Sequence, residues 1–350
     1  MAHSQTVDET RPDDAHRVAQ VRAWLCAVAA LVFLLVSVGG ATRLTGSGLS
    51  ITEWQPIMGV LPPLSEADWH EAFAKYRHIP QYEHVNRGMS LEAFKVIFWW
   101  EWGHRFLGRL VGAAFLLPFL YFLAAGRMSR ALTAKLAGIF VLGALQGAVG
   151  WYMVRSGLAT RIDVSQYRLA LHLGLAVLIL GALIWVALSL DEPRNQAATA
   201  QPVRTIAAGV IVLLVFVQIE LGGLMAGLKA GAGYNTWPLM DGRLVPSGLG
   251  AIEPWYLNLF ENALAVQFNH RVVAYALVLV TLWHAWRQRS SGATVLAAAV
   301  LVQAMLGIWT LLAQVPLALG LAHQAGAAAV FGIAIWHLHG LRRTEPPRAP

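Results

Sequence analysis

The sequence predicts an all-α integral membrane protein, with eight transmembrane helices as two four-helix bundles in parallel tandem repeat. Three observations carry this prediction. Of 350 residues, 57% are hydrophobic and 13% charged, where a soluble domain carries roughly 25% charged residues. Uncharged runs long enough to span a bilayer recur along the chain. The two halves repeat one set of motifs in one order. Fourteen Trp and twelve His stand against a single Cys. This balance excludes a disordered chain, a disulfide scaffold and most cytosolic enzymes. The net charge of +7 then points to membrane orientation rather than to nucleic acid.

The first span is Trp24 to Thr42, which holds no Asp, Glu, Lys or Arg. It is longer than the apolar region of a signal peptide, about 7–15 residues, and the repeat needs it. Leu110 to Gly126, Leu136 to Val154 and Leu169 to Leu190 are equally free of charge. Thr205 to Leu228 is broken only by Glu220, and Ala263 to Trp286 only by His270-Arg271 and His284. Ser290 to Leu341 is too long for one helix. Gln314-Val315-Pro316 is its natural break, because proline removes a donor and disfavours helix before it. Residues 1–23 are then an N-terminal tail, 24–190 one half, 191–204 a linker rich in Ala, Gln and Pro, 205–341 the other half and 342–350 a C-terminal tail.

Eight spans put both termini on one side. Each side carries thirteen basic residues, but the terminal side does so in segments about half as long. Long loops count little, so both termini are expected to be cytoplasmic, in a multi-pass protein of the cell (inner) membrane. The outer segment 44–100 contains Leu64, Trp69, Phe73 and Tyr76 at helical spacing. They predict a helix on the outer surface, either interfacial or packed on neighbouring loops. Trp99, Trp100 and Trp102 predict an aromatic belt.

The repeat is direct. Val38-Gly39-Gly40 matches Leu221-Gly222-Gly223, and Trp54-Gln55-Pro56-Ile57-Met58 echoes Trp237-Pro238-Leu239-Met240. Glu101-Trp102-Gly103-His104-Arg105 matches Gln267-Phe268-Asn269-His270-Arg271. Gln146 to Trp151 resembles Gln303 to Trp309, and Leu171-His172 corresponds to Ala322-His323. Each half has an even number of helices, so the repeats share one orientation.

His104, His172, His270 and His323 thus open the even helices at one depth, near the outer face. Ionisable groups inside a membrane are costly and mark function. The remaining histidines fall in the polar tail, in the outer loop, or, as His284, His337 and His339, at inner helix ends where snorkelling suffices. A pair of histidines lacks the further Cys, Asp or Glu that zinc favours. Haem iron accepts one or two axial imidazoles. Small residues (Gly108, Gly112, Ala176, Ala274 and Ala327) follow the histidines and leave room for a flat ring, or for close helix packing. Arg105 and Arg271 could meet propionates or snorkel.

These motifs, with Gly39-Gly40-Ala41-Thr42-Arg43-Leu44-Thr45-Gly46-Ser47-Gly48-Leu49-Ser50, resemble the haem A synthase family of bacteria and mitochondria over the whole chain. The resemblance implies oxidation of the C8 methyl of haem O to a formyl group, giving haem A for cytochrome oxidase. It also implies a haem b cofactor, and haem O synthase as an upstream partner. Some members carry a Cys pair in the first outer loop. Residues 44–100 here hold none, so a thiol role of that loop is absent.

The halves differ at one telling position. Glu101 precedes His104 by three residues, where Gln267 precedes His270, and such spacing shares a helix face. A carboxylate can move protons or stabilise positive charge; Gln cannot titrate. The substrate haem is therefore assigned to His104/His172 with Glu101 as catalytic carboxylate, and haem b to His270/His323. The other reading of Glu101 is a complement to its helix N-terminus. Two rival functions are a dihaem b-type electron-transfer cytochrome and a haem transporter with broken helices at mid-membrane. The electron acceptor, the oxygen source, the part played by haem b and homo-oligomerisation are left open by the sequence.

Overall fold

The computed structural model describes residues 12–56, 58–191 and 202–342. Most of the expected linker, at 192–201, and the tails at 1–11 and 343–350 lie outside the described residues. Among the described residues eight helices are long and apolar enough to cross a membrane. They are α1 (Pro12–Leu44), α4 (Leu91–Ala124), α5 (Arg130–Ala159), α6 (Gln166–Leu188), α7 (Pro202–Gly227), α8 (Ala263–Gln288), α9 (Ser291–Leu312) and α10 (Leu317–Arg342). Two short helices, α2 (Glu66–Tyr76) and α3 (Pro80–His84), lie between α1 and α4.

Each expected span coincides with one of these helices; Leu110–Gly126, Leu169–Leu190 and Thr205–Leu228 overrun their helix ends by one or two residues, while at their N-termini the helices reach further. α1 begins at Pro12, inside the expected tail, because no breaker separates Ala15–Ala23 from the apolar run. Its N-terminal part is tied down where Arg127 donates to Gln20 Oε1 at 2.8 Å and Arg22 to the Ala187 carbonyl at 3.3 Å. α4 begins at Leu91, well before Leu110, with Ser90 capping the Ala93 amide. The α9–α10 break falls as expected. Gln314 and Val315 take φ of 60° and 57°, and the Val315 amide caps the Thr310 carbonyl at 2.8 Å.

α1 packs on α4 and α6, and α5 packs on the same two. α7 packs on α8 and α10, and α9 packs on those two in turn. The two sets share one order of neighbours and meet through α6–α7, α1–α10 and α6–α10. Leu25, Phe115, Phe119, Leu136 and Leu183 fill the core of the first set, and Ile211, Val215, Leu277, Leu296 and Phe331 that of the second.

A third cluster caps the first set. The rings of Trp69 and Phe73 in α2 lie 5.0 Å from Phe98 and Phe94 of α4, and Tyr76 lies 5.2 Å from Phe94. α2 is thus packed on the start of α4. Leu64 is not part of that face: it precedes the helix and is 77% exposed. Ser65 and Asp68 form the capping box, in which Asp68 accepts from the Ser65 amide at 3.0 Å and the Leu64 amide at 3.1 Å. Those bonds hold the Asp68 carboxyl below its usual range. A depressed carboxyl lends stability above its unfolded pKa, and this is lost as pH falls through the folded pKa. Protection of the Leu64 and Ser65 amides from exchange, taken relative to the intrinsic rate at each pH, is therefore expected to fall as pH drops below the ordinary Asp range, and Asp68→Asn is expected to flatten that dependence. Equal protection across that range would contradict the role of the cap.

The histidines expected to snorkel differ from expectation. His284, His337 and His339 are 1%, 5% and 2% exposed. An imidazole is too short to reach water from these positions, so each finds a partner inside. His284 Nε2 and His337 Nε2 are 2.8 Å apart, and His339 Nε2 lies 3.0 Å from Ser189 Oγ. His284→Phe leaves His337 unpaired and is expected to cost about 1–3 kcal/mol. Replacing both with Leu is expected to recover most of it. Thermal melting of the detergent-solubilised variants compares the two.

Candidate functional site

The four singled-out histidines sit inside their helices rather than opening them. His104 lies deep in α4 because the helix continues upstream through charges that are matched, Glu92 by Lys95 and Glu101 by Arg105 and the loop at Ser50 and Ile51. Each imidazole lies against a glycine of the preceding long helix. A Cβ at Gly39 would stand 2.8 Å from His104 Cε1, and one at Gly150 would stand 2.9 Å from that of His172. At Gly222 the distance to His270 is 3.5 Å, and at Gly307 that to His323 is 2.7 Å. At Gly39, Gly150 and Gly307 a Cβ would collide with the ring, whereas at Gly222 it would make an ordinary contact.

Glutamines hold three of the four. Gln146 donates to the His172 carbonyl at 3.0 Å, Gln218 to that of His270 at 3.0 Å and Gln303 to that of His323 at 2.7 Å. The same amide nitrogens lie 3.4, 3.0 and 3.0 Å from a ring nitrogen of each histidine. Each glutamine precedes its glycine by four residues. Four residues before Gly39 stands Leu35, so His104 has no such clamp.

His270 and His323 face one another with ring centres 6.5 Å apart and planes at 72°. Two imidazoles on one metal, at about 2 Å each, put their ring centres about 6 Å apart. Nδ1 of His104, His172 and His270 is buried without a protein partner. Among the described residues no three His, Cys, Asp or Glu converge on a metal position, so an iron here would rely on the imidazole pairs. Below His104, a Cβ at Gly108 or Gly112 would meet no atom within 4 Å, and that unobstructed face suits a flat ring. The donor set and the spacing fit haem.

Glu101 is 2% exposed and is not at a helix N-terminus, so the dipole reading falls. Its Oε2 accepts from Ser50 Oγ at 2.7 Å and the Ile51 amide at 2.8 Å, and its Oε1 from Arg105 Nη2 at 2.7 Å and Nε at 3.1 Å. Arg105 also donates to the Ile51 and Glu53 carbonyls at 2.8 and 3.0 Å. Arg271 does the same in the other half, donating to Tyr234 and Thr236 at 2.8 and 2.9 Å. Both arginines thus staple the loop that follows the first helix of their half. Gln267 donates only to the Gly233 carbonyl, at 3.2 Å, and the Arg271 Nε is unpartnered.

Residues 22–335 match the family model described as cytochrome oxidase assembly protein. Heme A synthase of Parvibaculum lavamentivorans is 55% identical over 324 residues, covering 91% of this chain and 94% of that one. Heme A synthase of Mesorhizobium japonicum is 54% identical, covering 96% and 94%, and that of Azorhizobium caulinodans 55%, covering 95% and 97%. The chain belongs to the haem A synthase family.

In this member of the haem A synthase family the glycine-rich stretch Gly39 to Ser50 has two tasks. Gly39 receives His104. Further on, Gly46 turns the chain at φ +67°, and its carbonyl accepts from Gln81 at 3.1 Å, whose Oε1 takes the Tyr76 hydroxyl at 2.9 Å. That burial pushes the Tyr76 hydroxyl above its usual pKa. The glutamine clamps were not anticipated, although Gln-x-x-x-Gly recurs at 146, 218 and 303 and could have been read. Arg109 was also missed. It donates to the Pro56 and Gln55 carbonyls at 2.9 and 2.8 Å, contacts no linear pattern reveals.

Proposed function

We propose that this protein is an oxidoreductase that converts the C8 methyl of haem O to the formyl group of haem A for cytochrome oxidase. The observation that carries the reading is the set of four partly buried imidazoles, each lying against a glycine, in a chain that matches heme A synthases over more than nine-tenths of its length. The substrate haem belongs at His104/His172 in the 24–190 half, and haem b at His270/His323 in the 205–341 half. The two halves form a tandem repeat joined by 191–204. The protein lies in the cell inner membrane with cytoplasmic termini, and haem O synthase supplies the substrate.

Going from methyl to aldehyde removes four electrons and adds one oxygen, in two successive oxidations. Bound haem supplies the one-electron chemistry such a step needs. The chain's own residues orient and shield. Gln146, Gln218 and Gln303 fix the backbone and ring of their histidines, and the glycines admit the rings. Arg105 and Arg109 hold residues 51–56 over the outer end of α4, which limits water at the reacting edge. Glu101, present in one half only, is the carboxylate that stabilises positive charge or receives protons on the substrate side. A haem transporter is disfavoured by eight spans that run unbroken.

Haem extraction from purified protein tests the reading. Wild type is expected to yield haem O or A together with haem B. His104→Ala/His172→Ala is expected to lose the former, and His270→Ala/His323→Ala the latter. Haem B alone from both sites would make the protein a dihaem cytochrome. Glu101→Gln that keeps full activity would remove Glu101 from the chemistry.

A further inference from the structure

Under the outer loop, beside α4, lies a cavity of about 240 Å³, whose wall includes Trp102, Arg105 and Arg109. Two N–H donors on this wall have neither exposed surface nor a partner: Arg109 Nη1 and Trp102 Nε1. Arg105 is neutralised by Glu101 at 2.7 Å. Arg109 is not: its bonds go to neutral carbonyls, and among the described residues no carboxylate forms an ion pair with it. The acidic groups on the opposite wall are engaged. Glu53 and Glu71 share Lys75 at 2.9 and 2.8 Å, and Asp68 is held by the start of α2. A partly exposed guanidinium without a counter-ion, one of whose N–H groups is shut from water, shares this wall with a second unsatisfied donor, and such a wall is a place for an anionic acceptor.

The internal repeat sharpens this. In the register that pairs His104 with His270, Trp102 falls on Phe268 and Arg109 on Tyr275. Phe268 offers no donor, and the Tyr275 hydroxyl already accepts from Trp237 Nε1 at 3.0 Å. The arrangement therefore belongs to the half that also carries Glu101.

We propose that Arg109 and Trp102 form an oxyanion site that takes a carboxylate or phosphate oxygen at the outer end of the first half. A propionate of the substrate haem and a phospholipid phosphate share this chemistry. Only the propionate source rests on the function proposed above.

Protein produced without haem is titrated with haem B and, separately, with haem B dimethyl ester, following absorbance. Retained phospholipid is counted by native mass spectrometry. The variants are Arg109→Gln and Trp102→Phe; the latter keeps a ring and copies the other half, so it serves if Arg109→Gln fails to fold. With a propionate bound, one phase of haem B binding weakens about tenfold for Arg109→Gln and less for Trp102→Phe, and ester binding does not change. With a lipid phosphate bound, both titrations match wild type and at least one phospholipid is lost. Folded variants that match wild type in haem binding and in lipid count overturn the site. Failure of wild type to bind haem B at all counts against the proposed function, while the lipid count still decides the oxyanion site.

Discussion

Arg105→Leu is expected to be among the most destabilising single substitutions in this protein. It strips Nε and Nη2 from the Glu101 carboxylate, which is only 2% exposed, and frees the Ile51 and Glu53 carbonyls. Breaking a buried ion pair from one side leaves an uncompensated charge and costs about 3–5 kcal/mol. Removing both charges is a milder change. Glu101→Gln/Arg105→Leu is expected to melt closer to wild type than Arg105→Leu does, as Gln267 already tolerates a site with no ion pair. Thermal melting in detergent measures both, and equal melting of Arg105→Leu and wild type would contradict the clamp. Activity then separates structure from chemistry. If Glu101 serves the reaction, the double variant folds and makes no haem A; if Glu101 only anchors the loop, recovered stability brings recovered turnover.

Reading the chain by charge finds every span, because the bilayer demands a minimum apolar length and the loops between spans carry the charge. The same rule misplaces helix ends. α4 holds Glu101, Arg105 and Arg109 within helix, since Glu101 and Arg105 pair with each other and Arg105 and Arg109 donate to loop carbonyls. The His104 position suffered directly from this, as it was placed at a helix start. His284, His337 and His339 were read as snorkelling groups from their nearness to helix ends. Which face they occupy depends on how α8 and α10 pack, and that is tertiary. By contrast the four outer histidines were legible because the repeat placed each twice, and the glycine under each is part of the same repeat. Arg109 was not legible, because nothing in the sequence says that residues 55 and 56 return to it.

The seam between the two sets of helices yields the second large effect. α6 and α7 cross where Gly223 and Gly227, four residues apart, meet Ala170 and Gln166. A Cβ at Gly227 would stand 2.5 Å from Gln166 Cα, and one at Gly223 would stand 3.1 Å from Ala170 Cα. Backbone cannot yield as a side chain can, so Gly227→Ala must push the helices apart. Small residues that let helix backbones approach are what holds such crossings together inside a membrane. Gly227→Ala is therefore expected to cost about 3 kcal/mol, at the upper end of overpacking, and Gly223→Ala less. Gly209, on the same helix, is the control. A Cβ there meets nothing within 4 Å, and alanine is the better helix former by about 1 kcal/mol, so Gly209→Ala is expected to leave melting unchanged or raise it. Three substitutions of identical chemistry on one helix should thus rank by the room at each glycine. If Gly227→Ala melts with Gly209→Ala, the close crossing of α6 and α7 is wrong. Ala170 and Gln166 share α6 with His172, while Gly222 beside the seam receives His270. A splayed crossing is for that reason expected to loosen haem at both histidine pairs, where a substitution inside one half would affect one.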